Sequence, residues 1–259
     1  MRLKGAETAM SANPRTPSAI VIGVGPEEGL GAAVGRRFTA GGFHVFLDGR
    51  TEAKIRGVAD AITADGGSAE AVVMDATSPE DVERLFDRAF AAGDDIETPT
   101  VVVFNAGNNK PIDFLDLSPD QFEDFWRVGC FAGFLVGLAA ARRLLSGGQG
   151  TILFTGASAS LRGRPNFVHF AAAKAGLRMI SQAMAREYGP KGLHVAHLLI
   201  DGGINGERLR TLWPDAVAQR GQGGLLEIDA IAEAYWQLHQ QHKSAWTQEL
   251  DLRQFKESF

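Results

Sequence analysis

AIVIGVGPEEGLGAAVGRRFTA, residues 19 to 40, holds an apolar run that ends among glycines and reopens as an amphipathic stretch. Read as strand, turn and helix, it puts Gly25, Gly29 and Gly31, with Leu30 between the last two, at the turn and the helix start. Glycines there allow a tight turn, close backbone approach by a diphosphate, and close packing of helix on strand. The helix N-terminus adds partial positive charge. Alone such a motif is weak; its weight comes from having a strand before it, a helix after it, and a run of similar units beyond.

That run continues to the end of the chain. HVFLD is followed by AKIRGVADAITA, AEAVVMD by PEDVERLFDRAFAA, and TVVVFN by a long helical stretch to Leu145. TILFTG, a helix from about Asn166 to Tyr188, and LHVAHLLI come next, then a helix IDAIAEAYWQLHQQH and a last strand in AWTQELDL. Strands apolar at every residue, such as VVVF, belong in a sheet covered on both faces. The alternation therefore predicts an α/β fold: one domain over 18–259, a doubly wound parallel sheet of about seven strands with helices on each side. Residues 1–17, MRLKGAETAMSANPRTP, lack the apolar core of a signal peptide and are read as a flexible leader.

Composition narrows the partners. The 259 residues carry a formal net charge of -5, which argues against a nucleic-acid surface and for a small-molecule partner. A single cysteine, Cys130, excludes an intrachain disulfide and metal sites built on cysteine clusters; no metal is expected, and a reducing, cytoplasmic location fits. The longest apolar run, Val128 to Ala141, lies between Arg127 and Arg142 and is read as a buried core helix too short to span a bilayer.

The strand tips supply candidate ligands for a nucleotide. Asp48, at the second tip, could accept from a ribose diol, and Arg50 just beyond could pair with a 2′-phosphate. Asp75, followed by Ala76, could hold an adenine amino group or merely cap the next turn. Asn105, Ala106 and Gly107 end the fourth strand with small residues against which a flat ligand could lie. After Ile200, Gly202 and Ile204 open a glycine-rich segment to Leu225, read either as a ligand-covering loop or as a surface connection.

The glycine pattern at 25, 29 and 31, Asp75, Asn105-Ala106-Gly107 and the spacing to Lys174 together resemble the short-chain dehydrogenase/reductase family from Ser18 onward. The resemblance implies a single Rossmann-type domain, bound NAD(H) or NADP(H), a small-molecule substrate and a homodimer or homotetramer. It places Gly49 where NAD-type members carry an acid and Arg50 where NADP-type members carry a base, so NADP(H) is expected over NAD(H). It also implies a catalytic Asn, Ser, Tyr and Lys. Here the lysine is Lys174, but the tyrosine position is Phe170, the serine position is Ala157 with Ser158 next to it, and the asparagine position is Cys130. The family's Pro-Gly is replaced by Asp201-Gly202. HFAAAK, FTGASASLRG and AWTQELDLR resemble a subgroup with Phe in the tyrosine position.

Of the two tyrosines, Tyr188 follows Lys174 by about 21 Å of helix and Tyr235 lies in the tail, so neither is expected to replace the missing phenol. His169, about 100° around the helix from Phe170, is a weaker proton-donor candidate, and Cys130 is read as a buried thiol. Ser160, Arg162 and Arg164 either meet an anionic substrate or face solvent. The leading expectation is an oxidoreductase acting on a small carbonyl, alcohol or activated alkene, with Lys174 as cofactor clamp and proton source and Ser158 as polariser. The alternatives are a dinucleotide-binding protein without hydride chemistry, and a decayed nucleotide site in which Glu27 and Glu28 repel a diphosphate.

Overall fold

The computed structural model describes residues 15–91 and 93–256. The expected leader lies outside the described residues up to position 14; strand β1 (Thr16–Ile22) starts two residues before Ser18, and Arg15 is tied to the carbonyl of Ile96 at 2.6 Å. The chain then alternates α1 (Leu30–Ala40), β2 (His44–Gly49), α2 (Glu52–Ala64), β3 (Ser68–Val73), α3 (Pro79–Phe90) and β4 (Ile96–Phe104). It continues through α4 (Pro119–Trp126), α5 (Ala132–Leu144), β5 (Gly150–Thr155), α6 (Val168–Tyr188) and β6 (Leu193–Asp201). Beyond lie β7 (Ile204–Asn205), α7 (Glu207–Leu212), α8 (Pro214–Arg220), β8 (Leu226–Glu227), α9 (Ile228–His239) and β9 (Glu249–Arg253).

Seven strands form one parallel sheet in the order β3-β2-β1-β4-β5-β6-β9. Alternate residues of each strand enter opposite cores, as the period of two requires. Val21, Leu47, Val103 and Leu198 pack under α1, α2 and α9, whereas Ile22, Phe46, Phe104 and Phe154 pack against α3, α5 and α6. All eight are fully buried, each worth about 1.5–3 kcal/mol of transfer free energy. The uninterrupted apolar strands follow from this two-sided cover.

Local signals set several helix starts. Ser118 accepts from the N–H of Gln121 while the Gln121 side chain accepts from the N–H of Ser118, a capping box with Pro119 in the first turn. Ser78 and Pro79 open α3 in a similar way. The apolar run from Val128 differs from the reading that ended it at flanking arginines. A π-turn, Arg127–Phe131, joins α4 to α5 without a break, giving a helical run Pro119–Gly147 of 29 residues. By length and composition alone it could cross a membrane, and 56% of its most apolar window is buried against the sheet and α6.

Candidate dinucleotide and substrate site

The order reversal between β1 and β4 opens a crevice at the strand ends, the usual ligand position in such sheets. A cleft of about 830 Å³ lies there. Gly25, Gly29, Leu30 and Gly31 line it, as do Arg50, Asp75, Ala76, Asn105, Ala106 and Gly107. Ala157, Ser158, Phe170, Lys174, Gly202 and Ile204 also line it, while Cys130, Ser160, Arg162 and His169 stand outside it.

At the nucleotide end the backbone does most of the shaping. Gly23 has φ +89°, and a Cβ there would stand 2.4 Å from the amide nitrogen of Ala106. A Cβ on Gly25 would meet nothing within 4 Å, so this turn faces open space. Helix α1 begins at Gly29 without a side-chain cap and with no acid in its first turn, leaving its N–H groups free for an anion. These features fit a dinucleotide diphosphate. The carboxylates of Glu27 and Glu28 do not line the cleft, and Glu28 is ion-paired with Arg210 of α7. The expected repulsion is therefore turned aside.

Two readings of the adenosine side change. Asp48 is a cleft-lining residue, but its side chain is buried, its Oδ2 has no partner, and burial pushes its pKa well above the usual carboxylate range despite a bond from the N–H of Gly23. It is an inward acid at the strand tip and not an exposed acceptor. Of the two roles read for Asp75, the turn cap is the one seen: Oδ1 accepts from the N–H and hydroxyl of Thr77, at 2.9 and 2.8 Å, and the residue is exposed on the cleft.

Lys174 lies on α6, 4% exposed, and Nζ donates to the carbonyl of Thr155 at 2.7 Å. Burial pulls its pKa down to about 8. Gly107 keeps the approach open, since a Cβ there would come 3.3 Å from Nζ. Phe170 borders the same cleft, its ring centroid 6.0 Å from Nζ. Helical spacing thus delivers both side chains to one face, as read from the sequence.

Ser158 is less available than expected, because its hydroxyl bonds to the carboxylate of Asp201. Asp201 also holds Arg162 and Arg253, each 3.0 Å from Oδ2. Burial would raise this acid's pKa, but the hydroxyl and the two guanidiniums outweigh it and hold it below the usual range. Arg162 accordingly serves Asp201 while staying exposed to solvent, and it stands outside the cleft lining. Ser160 is buried on the carbonyl of Ala157 at 2.6 Å, and only Arg164 of the three lines the cleft.

The other candidates resolve as packing groups. His169 is buried, with Nε2 3.0 Å from the carbonyl of Lys110 and its ring against Phe125. Cys130 sits in the π-turn against Gly176, its thiol pKa raised by burial. Tyr235 is distant only in sequence. Its hydroxyl lies 2.6 Å from Thr155 Oγ1, which donates to Asn105 Oδ1 at 3.1 Å, while Asn105 Nδ2 donates to the carbonyl of Gly23 at 3.0 Å. Fully buried and outside the cleft lining, this phenol supports the strand tips from beneath. No sequence signal short of the α9 register pointed to it.

The segment after Ile200, expected as irregular, forms α7, α8 and a small β7–β8 pair over the cleft. Arg208 of α7 reaches across to Asn108 Oδ1 at 3.0 Å and the carbonyl of Asn109 at 2.7 Å. The covering-loop reading is the one that matches this arrangement.

Comparison with known proteins agrees with this geometry. A short-chain dehydrogenase from Rhodopseudomonas palustris is 38% identical, over 93% of this chain and 99% of that one, with a TM-score of 0.78. A short-chain dehydrogenase/reductase of Armillaria gallica is 28% identical over 180 residues, 68% of this chain and 67% of its own length. The 3-oxoacyl-(acyl-carrier-protein) reductase of Salmonella typhimurium is 25% identical over 219 residues, 83% and 87% of the two chains. The family profile described as short chain dehydrogenase matches residues 19–211. With that match spanning most of the sheet and the whole nucleotide end of the cleft, the chain belongs to the short-chain dehydrogenase family.

Proposed function

We propose that the protein is an NADP(H)-dependent oxidoreductase acting on a small carbonyl or its alcohol, and that it stands among family members with Phe in the tyrosine position. The observation that carries this reading is Lys174, buried, fixed on Thr155 and facing the same cleft as the uncapped N-terminus of α1. When bound, the nicotinamide supplies or accepts the hydride. Lys174, with a pKa of about 8, is an ammonium at neutral pH. One N–H serves Thr155, which leaves others to hold a ribose hydroxyl and to donate a proton to the substrate oxygen as hydride reaches its carbon. Phe170 contributes an apolar wall that excludes water and sustains the lowered lysine pKa. Asp201 orients Ser158 at the rim of the same space.

The 2′-phosphate preference rests on the second strand tip. Arg50 and Lys54 line the cleft, and Arg50 makes no side-chain hydrogen bond or ion pair among the described residues. A Cβ on Gly49 would stand 2.3 Å from the carbonyl of Val24, so the acid of NAD-type members has no room. Exposed Phe122, Trp126 and Phe134 along α4 and α5, with Met179 of α6, support a homo-oligomer. The single buried Cys130 is compatible with a reducing cytoplasm.

Titration with NADPH and NADH, followed by nicotinamide fluorescence and melting temperature, tests the reading. NADPH should bind more tightly, and Arg50→Ala should weaken NADPH by about tenfold while leaving NADH nearly unchanged. Binding of neither nucleotide would overturn it.

A further inference from the structure

The far end of the cleft is cationic in a way the nucleotide does not explain. Arg164, Arg208 and Arg220 line it together with Lys174, on elements that follow β5 and β6. Two acids border the same space. Asp201 is already held by Arg162 and Arg253, neither of which lines the cleft, which leaves Glu207 as the uncompensated carboxylate. Arg208 and Arg220 bond only neutral oxygens, Asn108 and Asn109 for the first and the carbonyl of Ala216 for the second. Arg164 makes no side-chain hydrogen bond or ion pair among the described residues. Between these cations stand Phe167, Phe170, Leu209 and Trp213.

Arg164, Arg208 and Arg220 are exposed on the cleft and open to a ligand, and a guanidinium's planar fork matches both oxygens of a carboxylate while the apolar walls beside it take the rest of the molecule. We propose that the substrate is a carboxylate-bearing carbonyl compound with an apolar segment, an oxo acid or its hydroxy acid, held by Arg164 and Arg220 with its chain against Phe167 and Trp213. This rests on the oxidoreductase reading above and specifies its substrate class. Atoms balance in the ordinary way: hydride from the reduced nicotinamide forms the new C–H bond, the proton forms the O–H bond, and the carboxylate is untouched.

The test compares short- and medium-chain oxo acids with their methyl esters, against the full-length protein. Three readouts are taken: thermal shift without nucleotide, quenching of bound NADPH fluorescence, and NADPH oxidation. Acids should exceed their esters by about tenfold or more in affinity and in kcat/KM, and Arg164→Ala with Arg220→Ala should erase that preference. Esters equal to or better than acids in all three readouts would overturn the proposal. Failure of the oxidoreductase reading looks different: NADPH leaves fluorescence and melting temperature unmoved, and the acid-ester difference is then decided by the thermal shift alone.

Discussion

The two ends of the cleft are made of different material. The nucleotide end is shaped by backbone, with Gly23 and Gly49 packed so tightly against Ala106 and Val24 that a Cβ would collide at 2.4 and 2.3 Å. The substrate end is shaped by long side chains gathered from far apart, such as Asp201 with Arg162 and Arg253, and Arg208 with Asn108. A site made of backbone fails when volume is added. A site made of side chains fails when a charge or a hydroxyl is moved.

The sharpest break in the comparison is at Lys174, where the two ends meet. Lys174→Met keeps the buried stem and removes the ammonium. Carbonyl reduction should fall by about 10²- to 10⁴-fold, the usual contribution of a positioned proton donor, with the fold preserved by circular dichroism. The wild-type rate should also decline as pH rises through about 8, since burial brings the loss of the donor's proton down from the ordinary lysine range. An equal rate in the variant, or a flat profile from neutral to alkaline pH, would remove lysine from the chemistry.

A smaller effect probes the backbone-made end. Gly49→Asp installs the acid of NAD-type members, and by simple analogy should turn the preference toward NADH. The close approach to Val24 leads to a different expectation: destabilisation of about 2 kcal/mol or more and weaker binding of both nucleotides. A stable variant with improved NADH affinity would show that β2 can shift there. The gentlest change is Phe170→Tyr, which adds a hydroxyl on the cleft near Nζ and should raise reduction of a small carbonyl by about tenfold. No gain, with NADPH binding intact, would mean that the wall at this position serves apolar packing of the substrate.

The same contrast explains what could be read beforehand. The inner strands β1, β2, β4, β5 and β6 were legible because two-sided burial writes itself as apolar runs, the half-exposed edge strands β3 and β9 because they keep the alternation with helices, and the glycine turn because its spacing is local. Lys174 and Phe170 were legible for the same reason, lying four apart on one helix. Asp48 was misread because an aspartate at a strand tip has the same spelling whether it points to a ribose or inward to a buried position without a partner for Oδ2. Ser158 was counted as free because its partner, Asp201, is more than forty residues away, and Tyr235 was set aside although it touches Thr155 across a separation of 80. The apolar core helix was bounded at Arg127 because charge suggests an edge, whereas the π-turn carries the helical run straight through from Pro119.

The hydrogen-bond chain from Tyr235 through Thr155 and Asn105 to the carbonyl of Gly23 runs across the strands. It bolts the tips of β1, β4 and β5 and the last long helix into a single plate, with no water-filled gap needed between its members. The roof is held differently, with Arg208 and Arg210 fastened by contacts exposed to solvent. In this arrangement the covering segment can be recut for a different substrate while the plate beneath, and the lysine anchored to it, stay in register.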